Sequence, residues 1–273
     1  MIILSDVYKT FTTGSVGLED INLNIEKGEF VFLVGHTGSG KTTLLRLLIR
    51  EYLPTRGTIT IEDLNIALLP KNKIPHLRKK IGVIFQDLKL LMDKTILENV
   101  MLPLEIKGEK TADALKKAQE VLEKVGMLGH KDKFPIQVSG GELQRVAIAR
   151  ALTLDPLMIL ADEPTGNLDT DTAFEIVDIL DNINKSGTTV IMATHNMDIL
   201  NKYPKNRIIK LDSGKMILDS KNKKEESEKD EEKLVKKEVE IKHDKHKMAS
   251  SKHGHKENKA LFKGSIADKI KDK

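Results

Sequence analysis

The segment Gly35-His-Thr-Gly-Ser-Gly-Lys-Thr42 constrains the fold more than any other part of this sequence. It matches the template G-x-x-x-x-G-K-[ST], a loop whose backbone N–H groups bind phosphate oxygens. A buried strand is predicted before it at 29–34, and residues 42–49 have the apolar spacing of a helix. Because the template needs a strand before it and a helix after it, the segment predicts an α/β fold with phosphate at the helix N-terminus. A glycine-rich turn that merely caps a helix is the alternative.

The residue types of this phosphate loop (residues 35–42) indicate separate tasks. Lys41 is expected to bridge the β- and γ-phosphates of a nucleotide, and the Thr42 hydroxyl to bind Mg²⁺. His36 occupies a variable position of the template, so its side chain is expected to be a bystander. The expected ATP-binding set is Gly35, His36, Thr37, Gly38, Ser39, Gly40, Lys41, Thr42 and Thr43.

Two more apolar runs end in polar residues. Residues 157–161 lead into Asp162-Glu163, and residues 189–193 lead into Thr194-His195. Such runs are typical of parallel strands covered on both faces, whose carboxyl ends form the ligand-binding edge of a sheet. We expect Asp162 to support Mg²⁺ and Glu163 to orient or deprotonate the attacking water in phosphoryl transfer. Solvated carboxylates at a strand end are the alternative for this pair.

Two helices are indicated between the phosphate loop and these strands. Residues 111–125 have helical apolar spacing, with Thr111 as the predicted cap and Gly126 as the predicted stop. Ser139-Gly-Gly-Glu142 precedes a helical stretch at 143–152 and is a candidate second anion-binding helix terminus. Considered alone, Ser139 and Glu142 also fit a simple capping box.

Charge and composition divide the chain near residue 220. Residues 221–273 hold 17 Lys and 12 Asp or Glu with few apolar residues, so we expect a disordered tail there. Residues 1–220 carry 28 basic and 29 acidic side chains, which argues against nucleic-acid binding by the folded part. The four tail histidines, His243, His246, His253 and His255, are expected to be solvated rather than metal-bound. Cysteine is absent, and no secretory signal or membrane-spanning run is found, so we expect a cytoplasmic location.

Six ordered motifs resemble an ABC-type nucleotide-binding domain. They are the phosphate loop, Gln86, Ser139-Gly-Gly-Glu-Leu-Gln144, Leu160-Ala-Asp-Glu-Pro-Thr165, Gly166-Asn-Leu-Asp169 and His195. The resemblance covers nearly all of residues 1–219. It implies a core sheet flanked by helices, a small antiparallel β subdomain and an α-helical signature subdomain at about 88–155, within a domain spanning 1–220.

The resemblance also implies roles for single residues. Two copies of such a domain close head to tail around ATP, so that a signature segment, Ser139, Gly140, Gly141 and Glu142, acts on the ATP of the opposite subunit. Gln86 would touch Mg²⁺ and water, His195 would hold the γ-phosphate and Glu163, and Asp169 would lie in the loop that crosses the dimer. Phe11 would stack on adenine, although its spacing alone suggests a core residue. Val138, Leu143 and Asn196-Met197 depart from the usual pattern without removing a phosphate-contacting group.

Within the family, several stretches outside the nucleotide chemistry resemble the cell-division ATPases, which act with an integral membrane partner. They are residues 35–38, 75–82, 84–93, 99–104 and 134–137. The resemblance implies a homodimer held peripherally on the cytoplasmic face of the membrane by that partner. Exporter or lipoprotein-releasing ATPases are the alternative, whereas soluble DNA-repair or translation ATPases are disfavoured by the 97 positions from Thr42 to Ser139. Leu88, Leu90, Leu91 and Met92 are expected either to line the partner groove or to form a buried helix face.

Overall fold

A computed structural model describes residues 1–221 of the chain. Its strands are β1 (Ile2–Thr10), β2 (Val16–Ile25), β3 (Phe30–Val34), β4 (Arg56–Ile61), β5 (Leu64–Asn65), β6 (Ile81–Ile84), β7 (Met158–Asp162), β8 (Thr189–Thr194), β9 (Arg207–Asp212) and β10 (Lys215–Asp219). Its α-helices are α1 (Lys41–Leu48), α2 (Ile74–Lys79), α3 (Ile96–Lys107), α4 (Thr111–Lys124), α5 (Gly140–Leu152), α6 (Thr170–Lys185) and α7 (Met197–Lys202). The expected disordered tail and its histidines lie outside the described residues, apart from Lys221.

A six-stranded sheet forms the centre of the compact unit Met1–Ser220. Its strand order is β10-β9-β3-β8-β7-β6, and all neighbours are parallel except the β10–β9 pair. Every residue of β3 and β8 is buried. The predicted α/β fold, with these apolar runs as parallel strands, is therefore confirmed.

Alternate residues of β3 enter two separate cores, as the period of two along a strand requires. Phe30, Phe32 and Val34 pack in a core that also takes residues from α3 to α6. Val31 and Leu33 pack in a second core with α1 and the strands β1, β2 and β4. Burying one such side chain contributes roughly 1.5–3 kcal/mol to the free energy of folding. The two cores therefore hold β3 firmly, and with it the strand end from which the phosphate loop emerges.

A second, antiparallel sheet has the order β2-β1-β4-β5. Residues of β1 pair with both β2 and β4, for example Leu4 with Leu23 and with Ile59. All three side chains are buried in the core that contains α1. The small antiparallel region implied by the family resemblance is thus present.

The helix ends differ in part from the sequence prediction. Thr111 is not the cap of α4, because Ala114 N–H donates to Lys110 O at 2.9 Å and makes Lys110 the N-cap. The predicted stop at Gly126 is correct: its φ is +73° and its N–H donates to Glu123 O. Helix α5 begins at Gly140, earlier than the predicted stretch 143–152, because Ser139 caps it.

The segment after β6 is a loop, so a buried helix face at residues 88–92 is wrong. Leu88 and Lys89 have positive φ values of 57° and 51°, which no helix contains. Leu88 and Leu90 pack against the core, whereas Leu91 and Met92 are exposed. Among the helices of residues 1–221, none has the length and apolar character needed to cross a membrane.

Candidate active site

The phosphate loop connects β3 to α1 at the carboxyl edge of the six-stranded sheet. Gly35 and Gly40 have positive φ values of 156° and 109°. A Cβ added at Gly35 would lie 2.4 Å from Leu211 O, and one at Gly40 would lie 2.8 Å from Gly17 O. Glycine is therefore required at both positions. Helix α1 begins without a side-chain cap, which leaves its first N–H groups for a ligand.

The ammonium of Lys41 lies inside this loop. Its side chain is 5% exposed, and Nζ donates to the carbonyl oxygens of Gly35 at 2.7 Å and His36 at 3.1 Å. Glu163 Oε1 is 3.4 Å from the same nitrogen. A buried cation surrounded by backbone oxygens and one carboxylate is well placed to receive phosphate oxygens.

Asp162 ends β7 and Glu163 follows it, and both carboxylates reach the same space. Thr42 Oγ1 donates to Asp162 Oδ1 at 3.2 Å. Burial raises the pKa of the Asp162 carboxyl, the Thr42 hydrogen bond opposes this shift, and the neighbouring Glu163 charge adds to it. A nearby cation would stabilise the ionised form of this carboxylate, which burial disfavours.

Glu163 faces His195, which the family resemblance paired with it, and also Lys41, which was expected only at the phosphates. Its φ is +47°, and its N–H donates to Ala193 O at 3.1 Å on the adjacent strand β8. Oε2 lies 3.3 Å from His195 Nδ1, while Oε1 lies near Lys41. This carboxylate is therefore held at a fixed point between the phosphate loop and the end of β8.

The three residues expected at Mg²⁺ line one cavity of about 700 Å³. They are Thr42, Gln86 and Asp162, and Asn167 lines the same cavity. Among residues 1–221, no cluster of three or more His, Cys, Asp or Glu could hold a metal ion without other ligands. The oxygen donors fit Mg²⁺ in particular, because that ion is usually held by one or two carboxylates together with substrate phosphates.

The signature segment is not brought to the phosphate loop of its own chain. Ser139 and Glu142 form a capping box, with Ser139 N–H donating to Glu142 Oε2 at 2.7 Å. That hydrogen bond is the main reason why the pKa of Glu142 is lowered. Within residues 1–221, no hydrogen bond or ion pair joins this segment to residues 35–42.

The signature segment instead lies beside the start of α6. A Cβ on Gly140 would be 3.7 Å from Leu168, and one on Gly141 would be 2.5 Å from Thr172. Asp169 caps α6 by accepting from Thr172 N–H at 3.0 Å. Ser139 and Asp169 thus both serve as helix caps within one chain, and their side chains are exposed.

Phe11 lies beside the start of α1 rather than in a core. Its ring meets Tyr52 edge-on at 5.4 Å, and Lys9 Nζ lies 5.2 Å from its centroid. A Cβ on Gly17 would contact both Phe11 at 2.7 Å and Thr43 at 3.1 Å. Tyr52 was not predicted from the sequence, because nothing near residue 52 marks a partner for the aromatic ring of Phe11.

A contact of His36 was not predicted from the sequence either. Its Nε2 lies 2.9 Å from Asp212 Oδ1, at the end of β9. No local pattern links two residues 176 positions apart. Only the parallel pairing of β3 with β9 brings them together.

Comparison with known proteins agrees with this geometry. The ABC transporter family matches residues 18–166. The chain is 45% identical over 219 residues to the Cell division ATP-binding protein FtsE of Bacillus subtilis, covering 80% of this chain and 96% of that protein. It is 42% identical over 221 residues to the Methionine import ATP-binding protein MetN 2 of Lactiplantibacillus plantarum, covering 80% of this chain and 64% of that protein.

A solved structure gives the same result for the fold. The dimeric post-hydrolysis state of the ATP-binding cassette MJ0796, bound to ADP and Pi, superposes with a TM-score of 0.73 at 37% identity. The match covers 80% of this chain and 97% of the cassette. The phosphate loop, the two carboxylates at the end of β7 and these similarities together show that the chain belongs to the ABC transporter family and is an ATP-binding ATPase.

Proposed function

We propose that this ATPase works as a homodimer in a cell-division complex with an FtsX-like integral membrane protein. In this proposal residues 1–220 are the nucleotide-binding domain, and residues 88–155 contain its helical signature subdomain. ATP binding closes the dimer, and the closure is transmitted through the Gln86 region to the membrane partner. The complex thereby regulates peptidoglycan hydrolysis, and the ATPase is held peripherally on the cytoplasmic face of the membrane.

One observation supports the hydrolytic part most directly: the Glu163 carboxylate lies between Lys41 at 3.4 Å and His195 at 3.3 Å. Lys41 binds the β- and γ-phosphates, and Glu163 orients a water and accepts its proton as it attacks the γ-phosphorus. His195 holds Glu163 in place and contacts the γ-phosphate.

Mg²⁺ would be held by the Thr42 hydroxyl, the Asp162 carboxylate and the Gln86 amide oxygen. The ion, when bound, neutralises charge on the phosphate oxygens. The fit rests on the 3.2 Å separation of Thr42 Oγ1 and Asp162 Oδ1 and on the raised pKa of Asp162. The remaining loop residues, Gly35 to Gly40 and Thr43, bind the phosphates mainly through the backbone, and Phe11 stacks on adenine.

The signature segment supports the dimer. Within residues 1–221 no hydrogen bond or ion pair joins Ser139 or Gly141 to the phosphate loop of the same chain, and in this proposal they complete an ATP site when a second copy faces it. Gly140 and Glu142 shape the same helix terminus, and Asp169 lies in the loop that crosses the interface. The 37% identical cassette is a dimer in its ADP and Pi state, which supports this arrangement.

The membrane partner can be tested by affinity capture of the Glu163→Gln protein from its own cells in the presence of ATP. We expect an FtsX-like protein to be captured, and Lys41→Ala provides the matched control because it should not close around ATP. The 45% identity to FtsE over 96% of that protein favours this outcome. The proposal would be contradicted if no membrane protein were captured with either variant.

A transport ATPase is the second candidate, favoured by the 42% identity to MetN 2 over 80% of this chain. In the same experiment, capture of a transport permease would move the function to transport. The ATP-site assignments would be unchanged by that result.

A further inference from the structure

The phosphate loop lies directly against the turn between β9 and β10. Gly214 N–H in this turn donates to Ser39 O at 3.0 Å. Gly35 approaches Leu211 O so closely that a Cβ would be 2.4 Å from it. The end of β9 and the turn after it therefore contact the loop near both of its ends.

A side-chain contact joins the same two parts. His36 Nε2 lies 2.9 Å from Asp212 Oδ1, and Nδ1 lies 2.6 Å from Thr37 O. Neutral imidazole has one N–H, so only the charged ring can donate to both acceptors. Asp212 also accepts from the Ser213 hydroxyl at 3.0 Å, which keeps its carboxylate in place.

The surrounding charges favour the imidazolium on balance. The pKa of His36 is raised, chiefly by the Thr37 carbonyl and then by Asp212, while the Lys41 charge opposes the shift. The pKa of Asp212 is lowered, first by His36 and then by Ser213, with the Lys210 charge adding to it. These are the charged groups that face the pair from the loop, α1 and β9.

His36 also carries one of the carbonyls that hold Lys41. Nζ of Lys41 donates to His36 O at 3.1 Å and to Gly35 O at 2.7 Å. Fixing the His36 side chain on Asp212 therefore fixes the backbone that places the Lys41 ammonium.

We propose that His36 in its charged form is a positioning residue for ATP. Through its ion pair with Asp212 it holds the phosphate loop, and with it Lys41, in the conformation that receives the phosphates. This inference rests on the proposed binding of ATP at residues 35–42. It assigns a role to a position that the loop template leaves variable.

A simpler explanation makes the opposite prediction for one variant. If the imidazolium only attracted phosphate by its charge, removing the nearby Asp212 carboxylate would leave ATP affinity unchanged or increase it. If the ion pair positions the loop, Asp212→Asn must weaken binding as His36→Gln does. The two single variants therefore separate positioning from attraction.

The test is titration of the full chain with a fluorescent N-methylanthraniloyl ATP and Mg²⁺. We expect His36→Gln and Asp212→Asn each to weaken binding by about two- to fivefold, the range of an exposed ion pair. The double variant should be no weaker than either single one, and Asp212→Glu should bind nearly as wild type does.

The pH profile provides a readout that a general loss of structure would not change. The pKa of His36 is raised in the folded protein. The contribution of the charged ring to ATP binding is therefore complete at low pH and is lost as the pH rises through that pKa. The advantage of wild type over His36→Gln in ATP affinity should thus be largest below the ordinary histidine pKa of about 6.5 and should shrink as the pH rises through the raised pKa of His36. The affinities of wild type and His36→Gln are compared at the same pH, so that protonation of the nucleotide affects both proteins equally.

Matched controls are His76→Gln on α2 and Asp63→Asn in the turn after β4, both exposed and outside the site. Both should bind as wild type does. Unchanged or tighter binding by Asp212→Asn, or a pH-independent effect of His36→Gln, would overturn the positioning role. Equal binding by wild type and Lys41→Ala would instead overturn the proposed phosphate site.

Discussion

Replacing Glu163 by glutamine tests the assigned chemistry with the smallest change of shape. The amide oxygen can still accept from Lys41, and the amide nitrogen can still donate to His195 Nδ1, the two groups now 3.4 and 3.3 Å from the carboxylate. The variant loses the negative charge and the ability to take a proton. It should therefore bind ATP at least as tightly as wild type, because one anion facing the phosphates is gone.

The expected loss in turnover follows from the role of a general base. Such a group contributes about 10²- to 10⁴-fold in rate, which corresponds to roughly 2.7–5.5 kcal/mol of transition-state stabilisation. Because both contacts of the side chain survive as hydrogen bonds, the folding free energy should change by only about 1 kcal/mol. Loss of hydrolysis with retained folding and binding is thus the expected combination.

Three measurements decide this: phosphate release in a single turnover, titration with the fluorescent nucleotide, and the thermal unfolding midpoint. Glu175→Gln on α6 is the matched control, since that glutamate is 60% exposed and pairs with Arg145 away from the site. A Glu163→Gln protein that releases phosphate within about twofold of the wild-type rate would refute the general-base role. Loss of nucleotide binding would refute the claim that the amide fits.

Three further substitutions test the candidate site and one buried ion pair of the same domain. Lys41→Ala should weaken ATP binding by about 10- to 150-fold, the scale of hydrogen bonds to a charged group, and an unchanged affinity in the same titration would contradict its phosphate contact. Asp162→Asn should raise the thermal midpoint without nucleotide, since burial raises the pKa of that carboxyl and its ionised form costs stability as pH rises through that pKa. The gain should disappear in acid, and the Mg²⁺ dependence of ATP binding should be lost. Arg207→Met removes the guanidinium 2.6 Å from the buried Asp219 carboxylate, and urea unfolding should show a loss of about 3–5 kcal/mol. A loss below about 1 kcal/mol would show that the pair is not a buried one in solution.

The sequence predicted the edge of the sheet where the chemistry lies. Strands β3, β7 and β8 could be identified because they are buried on both faces and so appear as unbroken apolar runs. The loop template then required a strand before it and a helix after it, which placed Lys41 after β3, and the apolar run that became β7 placed Glu163 at the same edge of the sheet, with β8 between the two strands. Boundaries shifted by a residue, as for β3, which starts at Phe30 rather than Glu29.

Features that depend on distant pairing could not be predicted. Tyr52, which follows α1, lies beside Phe11, and the pairing of β3 with β9 brings Asp212 beside His36. No local spacing in the sequence records either contact. Local preference also failed at Thr111, because a good capping residue stands one position inside the helix that Lys110 begins. Leu88 and Leu90 were recognised as apolar. The chain turns there because Leu88 and Lys89 have positive φ values, and a backbone angle of this kind cannot be detected from the spacing of apolar residues.

The place of β3 in the sheet has a consequence for the time at which the protein becomes competent during synthesis. Both of its neighbours, β8 and β9, are made much later than β3 itself, which ends at Val34. At about 5–20 residues per second, the roughly 180 residues to the end of β9 take about 9–36 seconds to translate. Until β8 is complete at Thr194, the five apolar residues of β3 have neither neighbouring strand to pair with. The nucleotide site, encoded near the start of the message, is therefore among the last parts of the molecule to form.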